Sequence, residues 1–98
     1  MAVKDLRKLA RMQDCMIRIP GYCTHNPEET VLCHVRLAGI TGIGRKSPDL
    51  IGAWGCAACH AVVDGRIKTD YSGDEVSLMF YEGVFRTQAR VLELTDGR

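Results

Sequence analysis

Four of the five cysteines in this chain of 98 residues fall into two pairs, and they are the groups best placed to do chemistry. Seven residues separate Cys15 from Cys23, two separate Cys56 from Cys59, and 32 lie between the pairs. A tetrahedral zinc ion takes four thiolate or imidazole ligands at about 2.0 to 2.3 Å, and two close pairs on turns supply them when the intervening chain folds back. The Cys56-Ala57-Ala58-Cys59 half has the usual spacing. The Cys15 to Cys23 half is wider, but Pro20-Gly21 lies inside it, and a turn there draws the two thiols together. Two other readings of these thiols stay open. They are inert buried side chains, or Cys56 and Cys59 form a thioredoxin-like redox pair, which requires a βαβ setting not visible in the sequence. Cys33 stands alone in an apolar run and reads as a small core residue.

The histidines lie close to these cysteines in sequence. His60 follows Cys59 and precedes Asp64 by four positions, so on a helix the two share a face. An imidazole and a carboxylate there can bind a divalent cation, or else His60 packs and Asp64 is solvated. His34 alternates with Leu32 and Arg36 on one face of a strand pattern. It is either a satisfied core residue or a base, and an ordinary imidazole pKa of about 6.5 permits the second near pH 7. His25, in a polar loop with Asn26 and Pro27, has no comparable claim.

The elements that must position these groups follow from periodicity. Val3, Leu6, Leu9 and Ala10 predict a short amphipathic helix, and Met16 to Ile19 predicts a strand ending at the Pro20-Gly21 turn. Thr24 to Glu29 is loop, and Thr30 to Val35 is β-branched enough for a strand carrying Cys33 and His34. From Arg36 to Pro48 the chain holds Gly39, Gly42 and Gly44 with Arg45 and Lys46, a basic loop able to approach phosphates through Arg36, Arg45 and Lys46. Its GITGIG run does not match a nucleotide-binding P-loop. Leu50 to Trp54 predicts a second strand, and His60 to Arg66 a short helix. Ser72 and Glu75 have capping-box spacing, and apolar positions from Val76 to Val91 predict a helix over about 73–95. Gly83 within it implies either a close packing contact or a kink.

Composition sets the limits. Apolar residues make up 46% and charged residues 26% of the chain, which fits one globular domain over 1–98 and excludes a disordered or collagenous protein. A chain this short has a thin core, and a structural zinc supplies roughly 10 to 16 kcal/mol of apparent binding free energy. The net charge of +1 hides an asymmetry: residues 1–46 carry eight Lys/Arg against four acids, and residues 47–98 carry five against eight. The basic front half is compatible with nucleic acid, though modest for it. No apolar run reaches the roughly 20 residues of a membrane helix, and the first twelve residues lack the apolar stretch of a signal peptide. We therefore expect a cytoplasmic protein whose thiols are reduced.

A strand histidine, a basic glycine-containing loop, a second strand, and then Cys-x2-Cys-His opening a short helix follow one another in this order. The stretches KDLRKLAR, CMIRIPGYC, NPEETVLCHVRLAGITGIG and KSPDLIGAWGCAACH, with Asp64, resemble the YbcO-like family of small phage and prophage nucleases over about residues 4–66. The resemblance implies an α+β, zinc-braced ββα-metal domain, HNH-like and treble-clef-like, with a core over about 14–66 and a long C-terminal helix. It implies that Cys15, Cys23, Cys56 and Cys59 hold a structural zinc. His34 stands where such enzymes keep the general base, His60 where they keep a ligand of a catalytic magnesium or manganese, and Asp64 at the last metal-binding position. Two positions depart from the HNH pattern. Cys33 precedes the base in place of a harder ligand, and the middle Asn is missing from the stretch before Cys56, where Asp49 is the candidate substitute. The function implied is metal-dependent hydrolysis of nucleic acid, DNA in the first instance, in the cytoplasm of a bacterial host. The alternative is a zinc-stabilised DNA-binding or protein-adaptor module that cuts nothing. A homodimer joined through the long helix is a third option.

Overall fold

Trp54, fully buried, is the residue around which the elements are arranged, in a computed structural model that describes residues 6–36 and 48–95. It lies on β2 (Gly52–Gly55), which pairs antiparallel with β1 (Val31–His34). The register sets Leu32 opposite Trp54, Cys33 opposite Ala53 and His34 opposite Gly52. All four residues of β2 are buried, whereas β1 buries Cys33 and leaves His34 half-exposed at its C-terminal end. His34 therefore ends a strand beside the segment that leads to β2.

Helix α1 (Leu6–Leu9) comes first and α2 (Ala57–Val63) follows β2 directly. The sequence predicts a first helix over 3–12; residues 3–5 lie outside the described residues, and Met12 with a φ of +64° ends the helical run. Helix α2 begins earlier than the predicted His60 because Cys56 caps it, its sulfur accepting from the Cys59 N–H at 3.4 Å. Helix α3 (Gly73–Thr95) occupies the range expected, and its N-terminus is a capping box. The Glu75 N–H donates to Ser72 Oγ at 3.1 Å and the Ser72 N–H donates to Glu75 Oε1 at 2.8 Å.

The predicted strand at Met16 to Ile19 does not form. Its alternation correctly buries Ile17 and Ile19 and exposes Arg18, and the Met16 N–H donates to the Trp54 carbonyl at 2.7 Å. Arg18, however, takes a φ of +56°, which ends extended pairing after that single bond. The turn that follows needs Gly21 at φ +84°, and it lets the Tyr22 and Cys23 N–H groups both reach the Ile19 carbonyl. The result is a knuckle with Cys15 on one side and Cys23 on the other.

Helix α3 lies over β2 and this knuckle. Thr87 Oγ1 accepts from the Trp54 N–H at 2.9 Å and donates to the Gly83 carbonyl at 2.7 Å, so one buried hydroxyl joins helix to strand. Arg86 Nη1 donates to the Met16 carbonyl at 2.6 Å. Gly83 marks a close contact, since a Cβ there would stand 3.0 Å from both Ile17 Cα and the Met16 carbonyl oxygen. Those are backbone atoms and cannot rotate away. Gly83→Ala should thus lower stability by about 1 to 2 kcal/mol, overpacking outweighing the gain in helix propensity. Urea unfolding checks this, and a midpoint at or above that of the wild type would mean that α3 shifts off the knuckle freely.

Candidate functional site

The knuckle after Cys15 and the cap of α2 bring four sulfurs together. One Sγ each from Cys15, Cys23, Cys56 and Cys59 lie within 4.8 Å of one another, and Cys23 and Cys56 are 3.9 Å apart. Four sulfurs about 2.3 Å from one tetrahedral ion would be separated by about 3.8 Å, so this cluster could hold a metal ion such as zinc with little adjustment. Backbone donors support the anionic form. The Ile19 N–H donates to Cys59 Sγ and the Thr24 N–H to Cys56 Sγ, each at 3.5 Å, beside the capping bond from Cys59 N–H. These are the sulfurs that two turns separated by 32 residues were expected to unite.

Their protonation is divided unevenly. The bond from Cys59 holds the Cys15 thiol at about 4, and the same pairing pushes Cys59 up. Burial raises Cys23 to about 11. On Cys56 burial acts upward, but the N–H groups of Cys59 and Thr24 outweigh it and the thiol ends below its ordinary value. Cys33 stays apart as a core residue, 1% exposed, with burial raising it to about 12. His25, which carried no claim in the sequence, sits with its Nδ1 3.6 Å from Cys23 Sγ.

A second group of residues forms an open cleft of about 440 Å³ where the end of β1 meets the end of α2 and one wall of α3. His34, Arg36, Asp64, Arg66, Phe80 and Tyr81 are among its lining residues. His34 Nε2 is 2.7 Å from Asp49 Oδ1, and Arg7 Nε approaches that same oxygen at 3.5 Å. His60 Nε2 lies 3.2 Å from Asp64 Oδ2, as their spacing on one helix face required, and Arg66 Nη2 donates to that same oxygen at 3.2 Å. The fold thus places His34 and Asp64 on one cleft and pairs His60 with Asp64. Arg36 is on the cleft too, while Arg45 and Lys46 lie outside the described residues.

A family model described as "Putative nuclease YbcO" matches residues 4–96. The chain belongs to this family. It is 47% identical over 95 residues to the protein named "Putative nuclease YbcO" from Escherichia coli strain K12, covering 95% of this chain and 94% of that one. The relative of the same name from Enterobacteria phage 82 matches with the same identity and coverage. Among solved structures, one titled "Structure of a putative bacteriophage protein from Escherichia coli str. K-12 substr. MG1655" superposes with a TM-score of 0.71 at 40% identity, covering 93% of this chain and 98% of that chain. In this YbcO-family chain no helix among the described residues is long and apolar enough to cross a membrane.

Three placements in this YbcO-family chain follow from no periodicity in the sequence, although the resemblance had singled out Asp49. Asp49 lies fifteen positions from His34 and on the far side of the basic loop, so no periodicity connects them. Arg66 reaches Asp64 across a bend with Gly65 at φ +81°, and Tyr81 reaches the cleft only because α3 folds back over it. The His34 bond, foremost, and the nearby Arg7 guanidinium hold the Asp49 carboxyl below its ordinary value of 3.8. A depressed carboxylate stabilises the fold above the unfolded pKa of about 3.9, and that contribution is lost as pH falls through the folded value. Carbon-detected NMR titration should therefore find Asp49 below 3.8, and His34→Ala should move it upward. An Asp49 titration identical in both proteins would refute the coupling.

Proposed function

We propose that this YbcO-family chain is a zinc-braced endonuclease of the HNH, ββα-metal kind that hydrolyses phosphodiester bonds of DNA with His34 as general base. The observation that carries this reading is the oriented imidazole: His34 ends β1, bonds Asp49 at 2.7 Å and opens onto a cleft with Asp64 and two arginines. The relatives from E. coli and phage 82 bear nuclease in their names, which supports the same reading. An ionised Asp49 accepts the Nε2 proton and fixes the tautomer, so Nδ1 is the basic nitrogen.

In this mechanism His34 takes a proton from water, and the water oxygen attacks phosphorus opposite the leaving 3′ oxygen. The P–O3′ bond breaks and the leaving oxygen is protonated. Arg36 and Arg66 grip the neighbouring phosphate oxygens and favour the charge that develops. His60 and Asp64 would hold a magnesium or manganese ion, whose contribution is charge neutralisation at the phosphoryl group and leaving oxygen. Cys33, the soft residue before the base, is directed into the core, so its position supplies no cation ligand. Cys15, Cys23, Cys56 and Cys59 would hold the structural zinc, and a reducing bacterial cytoplasm keeps their thiols available for it.

Two measurements test this. Elemental analysis should find about one zinc per chain, and Cys56→Ser should lower zinc content and melting temperature together, because a structural zinc contributes roughly 10 to 16 kcal/mol of apparent binding free energy. A metal-free wild type with an unchanged melting temperature would remove the bracing role. His34→Ala should reduce nicking of supercoiled plasmid in magnesium or manganese by about 10²- to 10⁴-fold while the fold persists. Equal nicking by both proteins would remove the base assignment, and salt-sensitive DNA binding with no product under any divalent ion would replace the enzyme with a binding module.

A further inference from the structure

The cleft pairs two kinds of recognition group. Arg36 and Arg66 suit phosphate, whereas Phe80 and Tyr81 present aromatic rings that phosphate does not need. The two rings lie nearly parallel, with centroids 6.3 Å apart and planes 15° from one another. Phe80 is anchored against the core and backs Tyr81, which is 40% exposed. Phe85 follows one helical turn later, about 6 Å along α3, and is 70% exposed. Asp64, the carboxylate on the same wall, lies 3.2 Å from both Arg66 Nη2 and His60 Nε2, so the negative charge it turns toward a phosphate is partly offset.

An aromatic face attracts a nucleobase only when one face of that base is free. In duplex DNA both faces are covered by neighbouring pairs, so a stacking ring beside phosphate-binding arginines selects a strand whose bases are unpaired. We propose that Tyr81 is a stacking platform for an unpaired base and that the cleft takes single-stranded DNA, with Phe85 receiving the next base along the strand. This inference rests on the nuclease reading and adds the substrate class to it. The role of Tyr81 is specificity: it holds the strand while Arg36 and Arg66 hold its phosphates in front of His34.

The test is binding of the full-length protein to a dye-labelled twelve-nucleotide oligothymidine and to a twelve-pair duplex, followed by anisotropy with calcium in place of magnesium. The wild type should favour the single strand. Tyr81→Ala should weaken single-strand binding by about 5- to 150-fold and shrink the preference over duplex, while Tyr81→Phe retains both. Phe85→Ala, on the exposed face of α3, should show a smaller loss of the same kind without lowering the melting temperature. Single-strand affinity unchanged in Tyr81→Ala, or lost equally for both DNA forms, overturns the platform. If that result accompanies normal plasmid nicking by the wild type, the nuclease reading stands without it. If the wild type nicks nothing yet binds single strands through Tyr81, the nuclease reading falls and the platform stands.

Discussion

The convergence of four sulfurs within 4.8 Å is the constraint on which the rest of the structure depends. It ties the chain before β1 to the chain after β2, two segments with no continuous hydrogen-bonded ladder between them. Three of the four cysteines are buried, and burying several thiolates side by side is unfavourable without a cation to balance them. The N–H groups of Ile19, Thr24 and Cys59 offset only part of that cost. An ion at the centre would remove that repulsion and make the same cluster a strong link in a small core.

That link also positions the cleft. Cys56 caps α2, so the point where the sulfurs gather fixes where α2 begins and where His60 and Asp64 project from its far end. Trp54, two residues earlier, fixes β2 against α3 through Thr87 and against the knuckle through Met16. β1 is then registered on β2 so that His34 comes opposite Gly52. The imidazole and the carboxylates are thereby mounted on or beside the ends of rigid elements, where small shifts are resisted by the packing behind them.

Local chemistry was legible in the sequence wherever it is short in range. The capping box of Ser72 and Glu75, the stripe of α3, the sharing of one helix face by His60 and Asp64, and the turn at Pro20-Gly21 all follow from spacing. The partition of Ile17, Arg18 and Ile19 was legible too, but their conformation was not. Alternation records which side chains are buried, and a left-handed residue such as Arg18 buries its neighbours without a strand. The pairing of His34 with Asp49 and the approach of Tyr81 to the cleft depend on how far separate elements fold back. No pattern in the intervening residues encodes that distance.

Charge limits what kind of nucleic-acid binding this scaffold can support. A net charge of +1 gives a weak overall field, so the counterion release that drives binding in strongly basic proteins is small here. Under the proposed function, affinity would have to come from contacts inside the cleft, where the guanidinium groups are few and one of them already pairs with Asp64. Apolar contact with exposed base faces would be the remaining source, and such contact is insensitive to salt. The wall of α3 that faces the cleft carries the rings of Phe80 and Tyr81, and under the proposed function these would supply that contact.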